Sequence, residues 1–116
     1  MIFCVEDDNN IRDLLVYTLE TTGFHACGLV DSQELWKALA QEEPDLILLD
    51  IMLPGEDGYS ILDKLKKSSG TRDIPVIMVT AKEAEFDKVR ALEAGADDYI
   101  TKPFGMMEFI ARVKAV

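Results

Sequence analysis

The chain alternates between short, unbroken apolar runs and longer stretches in which apolar residues recur every three or four positions. Residues 46–49 form one such run, and residues 2–5 and 75–79 form two others. Apolar runs of this length are typical of parallel strands that are buried on both faces. A stretch with helical spacing follows the first run, with its apolar positions at Ile11, Leu14, Leu15 and Leu19. The pattern therefore predicts strands that alternate with amphipathic helices.

Five strands and five helices are predicted in this way. The strands fall at residues 2–5, 24–30, 45–50, 75–79 and 96–101. The four later helices are marked by the apolar positions Leu35, Ala38 and Leu39; Ile61, Leu62 and Leu65; Phe86, Val89 and Leu92; and Met106, Phe109, Ile110 and Val113. Asp31 and Glu34 have the spacing of a capping box, and Gly23, Pro44 and Gly95 stand where helices should end.

Strands that alternate with helices predict parallel pairing, with helices on both faces of the sheet and right-handed crossovers. Five such units fit a flavodoxin-like (βα)5 three-layer sandwich with the strand order 2-1-3-4-5. The length of 116 residues is that of one domain with a sizeable core. We therefore expect a single α/β domain over residues 1–116.

Composition and charge narrow the classes of partner. The formal charge of −10 argues against direct contact with nucleic acid, which requires a basic surface. No apolar run is long enough to cross a membrane, and no signal peptide is apparent. Cys4 and Cys27 lack the spacing of a zinc site, and we expect buried thiols in a reducing compartment. These features indicate a cytoplasmic domain that does not bind a membrane.

Acidic side chains follow two strands that are neighbours in the predicted sheet. Asp50 ends the third strand, and the acidic run Glu6, Asp7 and Asp8 directly follows the first. Ligands bind parallel sheets at the carboxyl edge where the strand order reverses, which is here between the first and third strands. Thr80 ends the fourth strand and Lys102 the fifth, at the same edge. We therefore expect the acids, Thr80 and Lys102 to share one site.

Crowded carboxylates repel one another, and a divalent cation would relieve that repulsion. An all-oxygen ligand set points to Mg²⁺ or Mn²⁺, and Mg²⁺ typically bridges carboxylates to a phosphate. A carboxylate such as Asp50 is also a competent nucleophile that forms an aspartyl-phosphate. Lys102 would then add a positive charge and Thr80 a hydroxyl donor. The pattern predicts a phosphoryl-transfer site.

Each of these residues also has a purely structural explanation. The acids at 6–8 could be favourable charges at a helix N-terminus, an account that suits Asp8 better than Glu6. Thr80 is a common strand residue, and Lys102 could be a solvated lysine. We interpret Asp57 and Gly58 as turn and capping residues. The coincidence at four strand ends is what favours a functional site.

Four motifs make the chain resemble the receiver domain of two-component response regulators over nearly its whole length. They are VEDD (5–8), LLDIMLPGEDG (48–58), VTA (79–81) and GADDYITKPF (95–104). The last motif, together with EFIARVKAV, is most similar to the OmpR/PhoB subfamily of transcription regulators. The resemblance implies a phosphoacceptor signalling domain that catalyses its own phosphorylation and dephosphorylation and is not an enzyme in the usual sense.

The resemblance also implies a role for each site residue. Asp50 would be the phosphoacceptor. Asp7 would bind Mg²⁺ directly, Glu6 through water, and the backbone carbonyl of Met52 would be a further ligand. Thr80 and Lys102 would contact the phosphoryl group. Tyr99 would be the switch aromatic that turns inward, and Lys102–Pro103 would be a cis peptide.

Partners follow from the same resemblance. The phosphodonor would be a sensor histidine kinase, and a DNA-binding effector domain would follow the receiver domain in the full-length protein. The phosphorylated form would pair as a homodimer through the fourth helix, fifth strand and fifth helix, where the charged residues are Lys88, Arg90, Asp97, Asp98, Glu108, Arg112 and Lys114. We expect Lys88–Glu108 and Asp98–Arg112 pairs across the two-fold axis.

Three other classes of protein fit these residues less well. A phosphatase with an aspartyl nucleophile usually has a second acid two residues later, where this chain has Met52. A receiver-like module that acts only by binding would not need the acids, Thr80 and Lys102 together. A dinucleotide-binding domain would need a glycine-rich loop after the first strand, and none is present.

Overall fold

A five-stranded parallel sheet forms the centre of the computed structural model, which describes all residues 1–116. Its strands are β1 (Ile2–Val5), β2 (Ala26–Leu29), β3 (Leu46–Leu49), β4 (Val76–Thr80) and β5 (Asp98–Thr101). They lie in the order β2-β1-β3-β4-β5, and every neighbouring pair is parallel. The predicted strand order is confirmed, and it reverses between β1 and β3.

Helices cover both faces of this sheet. They are α1 (Asn9–Thr21), α2 (Ser32–Gln41), α3 (Gly58–Lys67), α4 (Glu85–Glu93) and α5 (Met106–Ala115). One core layer contains buried residues of α1 and α5, and the other contains those of α2, α3 and α4. The three-layer α/β sandwich predicted from the alternating pattern is therefore confirmed.

Alternation along β1 divides its side chains between the two layers. Ile2 and Cys4 belong to the layer beneath α1 and α5, whereas Phe3 and Val5 belong to the opposite layer. Cys27 is the register partner of Phe3 and packs with that second layer. Both thiols are free and lie on opposite faces of the sheet, so they do not face each other. Burial raises the pKa of the Cys4 thiol to about 12.

Aspartates cap three of the helices. Asp8 accepts hydrogen bonds from two amides of the first turn of α1, and Asp57 accepts one from Ser60 in α3. Asp31 caps α2, and its predicted capping partner Glu34 reaches back to the amide of Val30 at 2.8 Å. These contacts satisfy amides that have no partner within the helix. The interpretation of Asp57 as a capping residue is confirmed.

The apolar stripe of α4 located the helix but does not face the sheet. Phe86, Val89 and Leu92 are 72%, 44% and 47% exposed, and Ala91 is the buried residue of this helix. A small side chain in the contact lets α4 lie close against its neighbours while the larger apolar side chains point outward. The prediction that the stripe marks a helix is correct, but the buried face is the other one.

None of the five helices combines the length and hydrophobicity that crossing a bilayer requires.

Candidate phosphoryl-transfer site

Glu6 and Asp50 lie side by side because β1 and β3 are in register. Val5 pairs with Leu49, so the residues that directly follow these strand ends emerge together. The amide of Asp50 donates to the carbonyl of Val5 at 3.3 Å, and the amide of Glu6 donates to that of Leu29 at 2.9 Å. Glu6 and Asp50 are only 2% and 5% exposed. Two carboxylates are thus held by backbone contacts in a largely buried pocket.

Lys102 joins these two carboxylates. Its Nζ donates to Asp50 Oδ2 at 2.9 Å and also to Glu6 Oε1. Its backbone amide donates to the carbonyl of Thr80 at 2.8 Å, which fixes the segment after β5 against the end of β4. The peptide bond between Lys102 and Pro103 is cis. The residues at the ends of β1, β3, β4 and β5 therefore share one edge of the sheet.

Burial and charge set the ionisation of this cluster. Burial raises the pKa of Glu6 to about 7, and the negative charge of Asp50 adds to the effect against the opposing hydrogen bond from Lys102. Burial lowers the pKa of Lys102, but its hydrogen bonds to Glu6 and Asp50 outweigh this and raise it overall. The site therefore holds the Lys102 ammonium group tightly, and its carboxylates outnumber this one positive charge.

The same acids have the geometry of a divalent metal site. Glu6, Asp7 and Asp50 each offer a carboxylate oxygen, and these three oxygens lie within 4.8 Å of one another. Asp7 is exposed at the mouth of the pocket, whereas the other two are buried. An all-oxygen set with one open side fits a hard cation such as Mg²⁺. Met52 is close by in the chain, and its amide donates to Asp50 Oδ1 at 3.1 Å.

Gly58 supports the backbone of Asp50. Its amide donates to the carbonyl of Ile51 at 2.8 Å, and a Cβ atom at position 58 would lie 2.2 Å from the carbonyl oxygen of Asp50. Only glycine allows α3 to begin this close to the strand end. The sequence interpretation gave Gly58 a turn and capping role alone and missed this support. The turn rich in proline and glycine that begins at Pro54, four residues after Asp50, was the available signal.

Thr80 and Tyr99 lie on adjacent strands beside this pocket. Thr80 is fully buried, and its Oγ1 accepts a 3.4 Å hydrogen bond from the amide of Lys82. Tyr99 is also buried, and its hydroxyl donates to the carbonyl of Lys82 at 2.8 Å. Burial, with the charges of Asp87 and Asp50, raises the pKa of Tyr99 to about 12. The Tyr99 ring therefore points inward in this structure.

Three of the four residues predicted to pair between two subunits, Asp98, Glu108 and Arg112, already have partners within the chain. Arg112 Nη1 donates to both carboxylate oxygens of Asp98 at 3.0 Å. Asp97 accepts from the amide of Val76 at 2.9 Å, and Glu108 lies 4.0 Å from Arg112. The Asp98–Arg112 pair therefore exists inside one chain, and its formation across a two-fold axis stays a prediction. Lys88 and Lys114 have no salt-bridge partner within the chain.

Arg90 is the seventh of these residues, and it turns toward α3. Its guanidinium lies 3.8 Å from the centroid of the Tyr59 ring. The Tyr59 hydroxyl donates to Asp87 Oδ1 at 2.8 Å, one turn earlier on α4. The sequence interpretation did not single out Tyr59.

Comparison with known proteins identifies what the chain is similar to. The profile of the family described as "Response regulator receiver domain" matches residues 2–114. The phosphate regulon transcriptional regulatory protein PhoB of Escherichia coli (strain K12) is 50% identical over 115 residues, which are 99% of this chain and 50% of PhoB. The chain thus spans about half the length of the curated relatives it matches.

Solved structures show the same similarity. The signal receiver domain of a signal transduction histidine kinase from Syntrophus aciditrophicus is 38% identical, with a TM-score of 0.89 over 98% of this chain and 86% of that one. The BeF3-activated N-terminal receiver domain of Klebsiella pneumoniae RstA is 32% identical, with a TM-score of 0.90 over 98% and 93% of the two chains.

Proposed function

Because this chain belongs to the response regulator receiver domain family, we propose that it accepts a phosphoryl group on Asp50 from a sensor histidine kinase. The observation that carries the proposal is the contact of Lys102 with both Asp50 and Glu6, at an edge where three carboxylate oxygens lie within 4.8 Å of one another. Phosphoryl transfer requires a positioned nucleophile and positive charge near the phosphoryl oxygens. Buried Asp50, the Lys102 ammonium and the carboxylate ligands for a hard metal ion would meet these requirements.

Glu6, Asp7 and Asp50 would hold the metal in this proposal, and the backbone carbonyl of Met52 would complete the protein ligands. Bound Mg²⁺ would neutralise negative charge on the incoming phosphoryl oxygens. The assignment of Asp7 as a direct ligand is supported by its exposed position at the mouth of the pocket. Buried Glu6, held by Lys102, suits the role through water.

In the transfer step, a carboxylate oxygen of Asp50 attacks phosphorus while the P–N bond of the phosphohistidine breaks. The electron pair of that bond returns to the imidazole ring of the kinase. The amide of Met52 and Nζ of Lys102 hold the Asp50 carboxylate from two sides, which fixes the direction of attack. Water attack on the acyl phosphate then releases inorganic phosphate and restores Asp50, so the domain needs no further catalytic partner.

Thr80 and Tyr99 would carry the signal away from Asp50. A phosphoryl group would draw the Thr80 hydroxyl toward it, and Tyr99 would occupy the space behind. The inward Tyr99 ring and its hydrogen bond to Lys82 support this arrangement, because Lys82 is two residues from Thr80. The movement would reach α4 through the β4–α4 segment.

An apolar groove beside Lys102 supports the kinase as a partner. Its lining is Ile11, Leu14, Ala81, Pro103, Phe104 and Met106 together with Lys102. Leu14 and Met106, which the sequence pattern placed on buried helix faces, are exposed there. A donor that presents its phosphohistidine to Asp50 has to cover this surface, and apolar side chains would favour its docking. We also propose that this domain is located in the cytoplasm, where the kinase would phosphorylate it.

The output of the domain would be transcription control. The PhoB relatives are named as transcriptional regulators and are about twice as long, so we propose a DNA-binding effector domain in the full-length protein. Phosphorylation would favour a homodimer through α4, β5 and α5. The exposed stripe of Phe86, Val89 and Leu92 supports this face, because dimer interfaces need an apolar centre with charged residues around it.

Incubation with Mg²⁺ and acetyl phosphate, followed by intact-mass measurement, tests the proposal. We expect a gain of one phosphoryl group, as Asp50 attacks phosphorus and acetate leaves. Asp50→Asn should abolish the gain. Asp63→Asn is the matched control, because Asp63 is an exposed carboxylate on α3 away from the site. An unmodified wild type, or equal labelling of the Asp50→Asn variant, would contradict the proposal.

A further inference from the structure

Arg12 contacts the main chain that carries the acidic pair. It lies near the start of α1, and its guanidinium turns back over the segment between β1 and α1. Nη1 donates to the carbonyl of Glu6 at 2.8 Å and lies 3.5 Å from the carbonyl of Asp7, and Nη2 donates to Asn9 Oδ1. The Glu6 carboxylate is held by Lys102 instead. Arg12 therefore contacts backbone carbonyl oxygens and forms no hydrogen bond with the carboxylates of Glu6 and Asp7.

Gly28 makes room for the stem of Arg12. Gly28 lies on β2 as the register partner of Cys4, next to β1, the strand that Glu6 directly follows. A Cβ atom at position 28 would lie 2.9 Å from Cγ and 3.0 Å from Cδ of Arg12. Because these atoms are in the middle of the arginine stem, any side chain at 28 would move the whole guanidinium. Glycine at this strand position is explained by the close approach.

We propose that Arg12, seated on Gly28, is a positioning residue that fixes the main chain of Glu6 and Asp7 so that their carboxylates converge with Asp50. The inference rests on the proposed Mg²⁺-dependent function. A planar guanidinium can hold the Glu6 carbonyl through Nη1 and the Asn9 side chain through Nη2 in a fixed relation, which an ammonium group cannot do as well. Groups that orient metal ligands from outside commonly matter for metal affinity.

Calorimetric titration of the unphosphorylated chain with Mg²⁺ tests the role directly. Arg12→Ala should raise the Kd for Mg²⁺ about 10-fold or more. Arg12→Lys keeps the charge and most of the stem but not the planar guanidinium. Its Kd for Mg²⁺ should therefore lie between that of the wild type and that of Arg12→Ala. Lys37→Ala on α2 is the control for loss of one exposed positive charge, and it should bind Mg²⁺ as the wild type does.

Phosphorylation kinetics separate positioning from general damage. In Arg12→Ala, the Mg²⁺ concentration that gives half the maximal rate with acetyl phosphate should rise with the Kd, while the rate at saturating Mg²⁺ stays near that of the wild type. A merely unstable variant would lose the maximal rate as well. Unfolding curves for each variant establish that the protein is folded under the assay conditions.

A double-mutant cycle tests whether Gly28 acts through Arg12. Gly28→Ala should weaken Mg²⁺ binding in the wild-type background and have no added effect in the Arg12→Ala background. Equal losses in both backgrounds would overturn the link between the two residues, and wild-type affinity in Arg12→Ala would overturn the role of Arg12. If the wild type itself neither binds Mg²⁺ nor is phosphorylated, the proposed function is what fails.

Discussion

Glu6 is the residue at which the proposed function conflicts with stability. Burial raises its pKa to about 7, so ionising this carboxylate in the folded chain is unfavourable below neutral pH. The groups that face it are Lys102, which favours its charge, and Asp50, which opposes it. Asp7 also lies close enough to share a metal ion. The site therefore keeps an acid whose charge is costly until a cation compensates it.

The stability of the metal-free protein should report this cost. Between pH 4.5 and about 7, the folded state binds a proton at Glu6 that the unfolded state has released. The free energy of unfolding should therefore fall as pH rises through this window. The Glu6→Gln side chain cannot ionise. Between pH 4.5 and pH 8, the free energy of unfolding of this variant should therefore rise relative to that of the wild type by roughly 1–3 kcal/mol.

Urea denaturation in the presence of a chelator, followed by circular dichroism, measures this difference. Glu43→Gln serves as the control, because Glu43 is an exposed glutamate outside the site. The difference in the free energy of unfolding between the wild type and Glu6→Gln should change with pH as described. A difference that stays constant, or that changes in the opposite direction, would show that burial does not raise the pKa of Glu6.

At the scale of elements, α4 is the helix with the fewest buried residues. Ala91 is its buried residue, and its N-cap, Ala84, forms no side-chain capping hydrogen bond. Its contact with α3 is provided by Tyr59, whose hydroxyl donates to Asp87 and whose ring lies under Arg90. A helix with few buried contacts next to the proposed switch residues, Thr80 and Tyr99, can move at low cost. Tyr59 thus limits how freely α4 moves.

Removal of the Tyr59 hydroxyl should loosen α4 selectively. The acceptor is the Asp87 carboxylate, and a hydrogen bond to a charged group contributes about 1.5–3 kcal/mol, so Tyr59→Phe should speed amide hydrogen exchange in α4 by roughly 10- to 150-fold. The phenylalanine ring retains the contact with Arg90. Hydrogen exchange followed by mass spectrometry makes the measurement. Tyr17→Phe on α1 is the matched control, because Tyr17 is an exposed tyrosine; equal effects in the two variants would refute the α3–α4 link.

At the scale of the whole molecule, charge is distributed unevenly. The chain carries 12 basic and 22 acidic residues, and two identical chains would repel each other at most surfaces. The face formed by α4, β5 and α5 carries Lys88, Arg90, Arg112 and Lys114 around an exposed apolar stripe. On this face a second copy would therefore meet positive as well as negative charge.

Charge exchange across this face tests the proposed dimer. With Mg²⁺ and beryllofluoride, the wild type should sediment as a dimer. Lys88→Glu and Glu108→Lys should each weaken dimerisation, because each places like charges opposite one another. The double variant should recover it. Lys37→Glu on α2 controls for net charge. Failure of the double variant to recover, measured by sedimentation velocity, would contradict the Lys88–Glu108 pair.

Most of the fold was predictable because local pattern and sheet topology agree. Buried strands such as β3 and β4 consist of unbroken apolar residues, and a parallel sheet places their carboxyl ends at one edge. That rule predicted from the sequence alone that Glu6, Asp50 and Lys102 share one site. The spacing of apolar residues was less informative for α4, because it does not tell which apolar face of this helix meets the sheet.

Other features could not be predicted because they depend on where long side chains turn. Arg12 could have remained in solvent, and only the structure places its stem over Gly28 of β2 and its guanidinium on the Glu6 carbonyl. Gly28 within a strand was a signal of close approach, but not of its partner. Tyr59 resembles core packing in sequence, and only its position beside α4 makes it a link.

The sequence by itself determined the alternation of elements, the strand order and the carboxyl edge at which the acids meet, because hydrophobic periodicity and chain connectivity act locally. The tertiary structure alone decided that Lys102 bridges Glu6 and Asp50, that Gly58 lies against the Asp50 backbone, and that Arg112 pairs with Asp98 inside one chain. These contacts join residues that are distant in sequence and depend on distances of a few ångströms, which only the packed molecule defines.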